Sequence, residues 1–278
     1  MTMTIYLFKN YAARLAAKNN IYWSYIFQGI QMINEIHNES CLDTMSRMDD
    51  NSVDLVVTSP PYNMNLRIRN GKYCSRQIVK ELSTKYEGFS DNMPIEEYYE
   101  FHSNVLKELL RVSSLVFYNI QIVTGSKRSV FKMIGEFSDQ LKDIIVWDKT
   151  VAQPAMQEQV LNRQSELLLV FENDNAISRQ FKNATFERGS LNDIWKISTR
   201  YLDKNNKTHG AVFPEELVAK ILRNFSKEGD IVYDPFMGTG TTALVSKNLN
   251  RNYIGSERSE HYIQIAEDRL FQPLEIFK

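Results

Sequence analysis

Short runs of β-branched and aliphatic residues alternate along the chain with longer stretches in which apolar residues recur at helical spacing. The runs that predict strands are 53–57, 115–118, 143–147, 166–171, 231–233 and 253–255. The stretches that predict helices are 94–112, 127–137, 214–224, 241–249 and 260–270. Because strands that alternate with helices are typical of a sheet covered by helices, we predict an α/β fold whose sheet is largely parallel.

The composition is that of a globular protein. Hydrophobic residues make up 43% and charged residues 24% of the 278 residues, which excludes disorder of the whole chain. The 33 Lys and Arg residues nearly balance the 34 Asp and Glu residues. This balance excludes a uniformly basic protein that coats nucleic acid, but it allows an enzyme with a local basic face. Cys41 and Cys74 form no CxxC pair and the 4 histidines are scattered, so we expect no metal site.

The domain organisation follows from where the patterning begins. No apolar run approaches the roughly 20 residues of a membrane span, so we expect no membrane partner and a cytoplasmic location. Organised patterning begins near residue 32, and we predict an N-terminal extension at 1–31 and one main domain at 32–278. Within that domain, residues 172–210 are polar and lack a long hydrophobic period.

A turn that contains two glycines joins the strand ending at residue 233 to the helix that begins at Thr241. Its sequence is Asp-Pro-Phe-Met-Gly-Thr-Gly, at 234–240. Gly238 and Gly240 allow positive φ and a close approach of a ligand to the backbone. The first turn of the helix offers free N–H groups to that ligand. Glu257 follows the next strand, where an acidic residue can accept hydrogen bonds from both hydroxyls of a ribose.

The charges of this turn restrict its ligand. The third glycine of a dinucleotide fingerprint is missing and the turn contains no basic residue, which disfavours a pyrophosphate. Asp234 would repel a phosphate but could receive an ammonium group. An adenosine that carries a zwitterionic amino acid fits these features, and S-adenosylmethionine is such a molecule. On the glycines alone, an ordinary turn between strand and helix is an equal alternative.

A second polar turn, Thr58-Ser59-Pro60-Pro61-Tyr62, follows the strand at 53–57. Turns at the carboxyl ends of parallel strands line the ligand crevice of such folds. The prolines fix the backbone, so the Ser59 hydroxyl and the Pro60 carbonyl point in set directions. Together with the flat face of Tyr62, they suit a planar ring that bears an amino group. A packed, proline-rigidified turn is the alternative for this motif in isolation.

Taken together, the two turns resemble the motifs of one enzyme family. The turn at 58–62 resembles the catalytic (Asp/Asn/Ser)-Pro-Pro-(Tyr/Phe/Trp) motif of DNA amino-methyltransferases, and the turn at 234–242 resembles their S-adenosylmethionine motif. The flanking segments 50–55, 192–195 and 213–217 are similar to the family as well. The catalytic motif precedes the cofactor motif, which is the circularly permuted order of the β class. The resemblance extends over roughly residues 32–270.

This resemblance implies a Rossmann-like, seven-stranded mixed sheet with helices on both faces. It implies methyl transfer from S-adenosylmethionine to the exocyclic amino group of a base flipped out of DNA. The implied catalytic residues are Ser59, Pro60, Pro61 and Tyr62. The implied cofactor-binding residues are Asp234, Pro235, Phe236, Gly238, Thr239, Gly240, Thr241 and Glu257.

The residue before the two prolines bears on the target base. In the family, Ser at this position usually accompanies N4 of cytosine and Asp accompanies N6 of adenine. Ser59 therefore favours cytosine, with adenine as the alternative. Since C5 methylation of cytosine would need a Pro-Cys pair, which neither cysteine forms, we do not expect that reaction.

Basic residues that could contact DNA phosphates lie in two places, after the catalytic turn and within 172–210, where the family has its target-recognition region. They are Arg67, Arg69, Lys72, Arg76, Arg188 and Arg200. A solvated basic surface is the alternative interpretation. We expect double-stranded DNA as the partner, and the resemblance also allows a cognate restriction endonuclease and a homodimer.

Three other functions stay open. Some RNA and protein-amide methyltransferases have a similar Pro-Pro-Tyr turn, but they usually have the cofactor motif first. A DNA-binding module without turnover would not need Ser59, Tyr62 and Asp234 intact. A nicotinamide oxidoreductase is disfavoured by the missing third glycine and by Asp234.

Overall fold

A computed structural model describes residues 32–63, 67–69, 72–74, 93–154, 158–174, 176, 178–198 and 213–271. The main sheet contains β1 (Glu35–Asn38), β2 (Leu55–Thr58), β5 (Leu115–Ile120), β6 (Leu141–Gln153), β7 (Arg163–Glu172), β8 (Ile194–Lys196), β9 (Ile231–Asp234) and β10 (Asn252–Glu257). Strands β3 (Arg67–Arg69) and β4 (Lys72–Cys74) form a separate antiparallel hairpin. The helices are α1 (Cys41–Ser46), α2 (Ile95–Val112), α3 (Lys127–Glu136), α4 (Glu215–Phe225), α5 (Thr241–Asn248) and α6 (Glu260–Phe271).

The strands of the main sheet lie in the order β1-β10-β9-β2-β5-β7-β6-β8. Every neighbouring pair is parallel except the two that involve β7, which runs antiparallel to both β5 and β6. The predicted α/β fold with a mixed sheet is confirmed. The described residues contain eight strands in this sheet, one more than predicted, because the three-residue strand β8 adds to the edge beside β6.

Side chains of each strand alternate between two hydrophobic cores, one on each face of the sheet. Val56 of β2 packs with residues of α1, α2 and α3. Its neighbours Leu55 and Val57 lie on the opposite face, with residues of α4 and α5. The helices form over predicted stretches because their apolar residues recur on one side, as do Tyr98, Val105 and Leu109 of α2. Both faces of the sheet are therefore covered by helices.

The polar segment 172–210 contributes to the second of these cores. The rings of Phe181 and Phe186 lie with centroids 5.1 and 5.4 Å from the ring of Phe225 on α4. Trp195 of β8 is completely buried in the same core. These contacts were not predicted, because they are made by isolated aromatic residues that form no periodic pattern in the sequence. The predicted target-recognition role of this segment stays a prediction.

Two further expectations concern the N-terminal extension and membrane-spanning helices. The N-terminal extension predicted at 1–31 lies outside the described residues. Among the described helices, none has the length and the apolar character needed to cross a membrane.

Candidate active site

The two motif turns leave the sheet side by side. Strands β2 and β9 pair in parallel, with Leu55 opposite Val232 and Val56 opposite Tyr233. Because parallel neighbours end at the same edge of a sheet, the turns after Thr58 and Asp234 meet there. The sheet thus brings together two segments that are 176 residues apart in the chain.

The carboxylate of Asp234 joins the two turns. Its Oδ1 accepts a hydrogen bond from Thr58 Oγ1 at 2.8 Å and another from the backbone N–H of Phe236 at 3.0 Å. Its Oδ2 accepts from Thr242 Oγ1 of α5 at 2.7 Å. Burial raises the pKa of Asp234 to about 6, although these hydrogen bonds act in the opposite direction. The predicted contact of Asp234 with an ammonium group stays a prediction.

The glycine turn has the backbone conformation that its sequence predicts. Gly238 and Gly240 have φ of +53° and +81°, values that favour glycine. A Cβ on Gly240 would lie 2.6 Å from the Cβ of Ala266 on α6, whereas one on Gly238 would meet no atom closer than 3.9 Å. Gly240 therefore allows a helix to pack closely, and Gly238 leaves open space beside the turn.

Glu257 and Arg269 hold the glycine turn from its two sides. Glu257, the last residue of β10, accepts a hydrogen bond from the N–H of Gly238 at 2.9 Å. Arg269 of α6 donates to the carbonyl of Thr239 at 2.6 Å and to the carboxylate of Glu215 at 2.7 Å. The structure thus brings the predicted Glu257 to the turn, and it adds Arg269, which sequence reasoning missed.

The predicted cofactor residues differ in their exposure. Pro235, Gly240 and Thr241 are buried, and the Thr241 hydroxyl accepts a hydrogen bond from Arg269 at 3.2 Å. Phe236, Gly238 and Thr239 are half-buried. These last three residues form the accessible part of the turn, and they are the ones that a ligand can reach.

Helix α2 supports the predicted catalytic turn at 58–62. The hydroxyl of Tyr98 donates to the carbonyl of Pro61 at 2.8 Å. His102 packs against Tyr98 and pairs through Nδ1 with the hydroxyl of Tyr118. Burial lowers the pKa of His102 to about 3, so this histidine is neutral. Ser59 is half-buried, and the three residues that follow it are buried.

A buried polar network extends from the catalytic turn into the sheet. The hydroxyl of Tyr62 donates to Glu166 Oε2 at 2.8 Å, lies 2.5 Å from Asn119 Nδ2 and lies 2.9 Å from Ser59 Oγ. Glu166 Oε1 forms an ion pair with Lys149 at 3.0 Å. The side chains of Lys149 and Glu166 are only 5% and 10% exposed. Such burial is costly unless every charge is paired, and here each charge is.

Sequence reasoning missed Asn119, Lys149 and Glu166. Asn119 lies inside the apolar run of β5 and Glu166 begins the apolar run of β7, whereas Lys149 lies between the polar residues Asp148 and Thr150 of β6. Their side chains meet because β7 runs antiparallel to its neighbours, so that its first residues reach the edge where β2 and β5 end. The available signal was a charged or amide side chain inside a buried strand, since such groups need a partner.

The predicted DNA-contacting residues are only partly described. Arg67, Arg69 and Lys72 lie in the hairpin of β3 and β4, where Arg69 pairs with Lys72. Arg188 is exposed. Arg76 and Arg200 lie outside the described residues. Their contacts with DNA stay predictions.

Known proteins match this chain in sequence and in fold. The DNA methylase family model, which covers the N6 and N4 enzymes, matches residues 53–268. The chain belongs to this family. This DNA methylase has the catalytic motif before the cofactor motif, so the resemblance to β-class DNA amino-methyltransferases is confirmed.

Curated relatives of this DNA methylase agree with that assignment. The Type II methyltransferase M.BglII of Bacillus subtilis is 26% identical over an alignment of 270 positions that covers 85% of this chain and 68% of the relative. The Type II methyltransferase M2.DpnII of Streptococcus pneumoniae is 26% identical over an alignment of 275 positions that covers 91% of this chain and 97% of the relative.

Solved structures share the fold of this DNA methylase. The cytosine-N4-specific PvuII DNA methyltransferase matches with a TM-score of 0.63 at 18% identity and covers 87% of each chain. The complex of M1.HpyAVI with SAM matches with a TM-score of 0.55 at 19% identity and covers 85% of this chain and 98% of the other. These likenesses confirm the Rossmann-like methyltransferase fold.

Proposed function

We propose that this DNA methylase transfers a methyl group from S-adenosylmethionine to the exocyclic N4 of a cytosine in DNA. The observation that carries the proposal is the meeting of the Ser59 turn with the glycine turn, joined by the hydrogen bond between Thr58 and Asp234. One turn offers acceptors for an amino group, and the other, which contains no basic residue, offers a cradle for a nucleoside without phosphates. Membership of the DNA methylase family supports DNA as the substrate.

The methyl donor is S-adenosylmethionine, and the residues of the glycine turn fit it. Gly238 leaves open space beside the turn, and Glu257 lies next to it with a carboxylate suited to the ribose hydroxyls. The turn itself contains no basic residue that would attract a phosphate. When bound, S-adenosylmethionine supplies an electrophilic methyl group. The presence of SAM in the complex of the structurally similar M1.HpyAVI supports this assignment.

The catalytic turn activates the amino nitrogen by accepting its hydrogen bonds. An exocyclic amine is a poor nucleophile because its lone pair is conjugated with the ring. The Ser59 hydroxyl and the Pro60 carbonyl accept one N–H each and draw the nitrogen toward a tetrahedral geometry. A new N–C bond forms as the methyl–sulfur bond breaks, and the nitrogen then loses one proton to solvent. Orientation and preplaced dipoles supply most of the acceleration.

The base must leave the duplex to reach this turn. Flipping costs a few kcal/mol, and stacking on the face of Tyr62 offsets about 1–3 kcal/mol of it. Arg67, Arg69, Lys72 and Arg76 would contact phosphates near the flipped base. Arg188 and Arg200 would do so from the segment 172–210, the proposed target-recognition region. A cognate restriction endonuclease and a homodimer are further proposals, supported by the Type II relatives.

Ser59 and one structural relative favour cytosine over adenine. Serine before the two prolines usually accompanies N4 of cytosine in the family, and the similar PvuII enzyme is cytosine-N4-specific. The second candidate is N6 of adenine, since the same two acceptors fit either amino group.

The deciding experiment is mass spectrometry of nucleosides from unmethylated genomic DNA incubated with the protein and S-adenosylmethionine. We expect N4-methylcytosine, and we expect Ser59→Ala to lower turnover while the dissociation constant of the cofactor changes little. N6-methyladenine would overturn the base and keep the reaction. If neither product forms although the cofactor binds, DNA is refuted as the substrate. The result would then point to an RNA or a protein amide.

A further inference from the structure

The buried network behind the catalytic turn determines which way its hydroxyl protons point. Tyr62 has one hydroxyl proton, and it donates that proton to Glu166 Oε2 at 2.8 Å. The phenolic oxygen can then only accept from its other neighbours. It accepts from the amide of Asn119 at 2.5 Å. Ser59 Oγ lies 2.9 Å from the same oxygen, so Ser59 is the donor in that pair.

Ser59 is therefore an acceptor toward any other group that it meets. With its one proton directed at Tyr62, its lone pairs stay available on the half-buried side chain. The amide of Asn119 also approaches Ser59 Oγ, at the long distance of 3.4 Å. A serine needs such control because a hydroxyl both donates and accepts. If Ser59 donated to the amino nitrogen, it would occupy the lone pair that must attack the methyl group.

Lys149 maintains Glu166 in its accepting role. The ammonium group lies 3.0 Å from Oε1, while Oε2 receives both Tyr62 and Asn119, the latter at 2.7 Å. An ionised carboxylate accepts hydrogen bonds and donates none. The amide of Asn119 is oriented in the same sense, since its Nδ2 group faces the carboxylate and the phenol. Lys149, Asn119 and Tyr62 thus all donate hydrogen bonds to Glu166.

We propose that Glu166, paired with Lys149, is a positioning residue that keeps the Ser59 hydroxyl donating its hydrogen bond to the oxygen of Tyr62. Ser59 then presents only lone pairs to the amino group of the base. This inference rests on the proposed function. Neither Glu166 nor Lys149 needs to touch the base. Their effect reaches the substrate through the hydroxyl of Tyr62, and therefore it depends on the presence of Ser59.

A double-mutant cycle tests this dependence. In Glu166→Gln, the amide must satisfy Lys149 with its single oxygen and then turns N–H groups toward Tyr62, which reverses the network. We expect the single-turnover rate of DNA methylation to fall about tenfold to a hundredfold, the range for a hydrogen bond to a charged group. The affinity for S-adenosylmethionine, measured by calorimetry, should stay within about twofold. In a Ser59→Ala background the same substitution should cost less than about twofold.

The chain offers a matched control on the same two strands. Lys142 of β6 and Glu172 of β7 form a second buried ion pair, with side chains 2% and 10% exposed. Glu172 is six residues from Glu166, which is roughly 20 Å along a strand. Glu172→Gln should lower the melting temperature about as much as Glu166→Gln. Below both melting temperatures, it should leave the methylation rate within about twofold of wild type.

The outcomes separate the inference from the proposed function. An equal fold-loss for Glu166→Gln in the presence and absence of Ser59 would overturn the positioning role, and so would an unchanged rate. If Glu166→Gln does not fold, Tyr62→Phe takes its place, because it keeps the ring and removes only the hydroxyl. The same non-additivity with Ser59→Ala is then expected, and additive losses would overturn the inference. A wild-type protein that binds the cofactor but methylates no DNA would instead refute the proposed function, and this inference with it.

Discussion

Thr58 at the end of β2 donates a 2.8 Å hydrogen bond to the carboxylate of Asp234 at the end of β9. Both residues are buried, at 0% and 3% exposure. A hydrogen bond to a buried charged group typically contributes about 1.5–3 kcal/mol. This one joins the turn that contains Ser59 to the glycine turn, so a displacement of either turn should disturb the other.

The raised pKa of Asp234 predicts a pH-dependent stability. The folded protein holds the proton of the Asp234 carboxyl more tightly than the unfolded chain does. The resulting stabilisation of the fold is fully present below pH 3.8 and is lost as the pH rises through about 6. The stability of wild type relative to Asp234→Asn should therefore fall by about 3 kcal/mol at most between those limits. Denaturant unfolding of both proteins across this range measures the difference, and a constant difference would contradict the assignment.

Thr58→Val should move that transition to higher pH. The hydrogen bond from Thr58 lowers the pKa of Asp234 in opposition to burial, and valine has nearly the same shape without the donor. The midpoint of the pH-dependent stability, again relative to Asp234→Asn, should then lie above that of the wild type. A midpoint at the same or lower pH would mean that Thr58 does not stabilise the charged carboxylate.

Gly240→Ala should cost more stability than its conformation alone explains. Gly240 and Gly189 have nearly the same φ, +81° and +80°, but a Cβ on Gly189 would meet no atom within 4 Å. Gly189→Ala should cost about 1–2 kcal/mol for the left-handed backbone. Gly240→Ala should add about 1–3 kcal/mol because its Cβ meets Ala266. Thermal melting of the two variants compares these costs, and equal values would show that α6 moves away freely.

Arg269→Met should weaken cofactor binding as well as stability. The arginine holds the Thr239 carbonyl and the Glu215 carboxylate, so its loss frees one side of the glycine turn. We expect a loss of about 1–2 kcal/mol in unfolding free energy and a higher dissociation constant for S-adenosylmethionine by calorimetry. Lys182→Met is the control, because the Lys182–Asp174 pair is exposed on both sides and should contribute less than about 1 kcal/mol. Similarly small losses in both variants would mean that Arg269 does not support the glycine turn.

Local patterns predicted most of the elements but not the directions of the strands. Helix α2 was predicted at 94–112 and spans Ile95–Val112, because Pro94 and the apolar side define it locally. The antiparallel direction of β7 depends on its neighbours in the sheet, which no local run encodes. Strand β1 was missed because none of its four residues is fully buried and it therefore has no apolar pattern.

The same distinction explains which site residues were predicted. Ser59, Tyr62 and Glu257 lie in or beside turns whose sequence is informative by itself, and the structure places each at the expected turn. Glu166 and Lys149 lie on two strands that pair with one another. Their roles emerge only when the pairing brings them to Tyr62, and so sequence patterns could mark them only as unusual.

The position of β9 and β10 has a consequence for biosynthesis. These two strands, from residues 231–257, lie between β1 and β2 in the sheet although both neighbours precede them by far in the chain. A ribosome therefore releases β1 long before its partner β10 exists. Such long-range pairing slows folding, and incomplete sheets expose edges that aggregate. A nascent chain that has reached only residue 230 contains the Ser59 turn, but its β1 has no strand to pair with. The sheet can therefore be completed only after residue 257 has been synthesised.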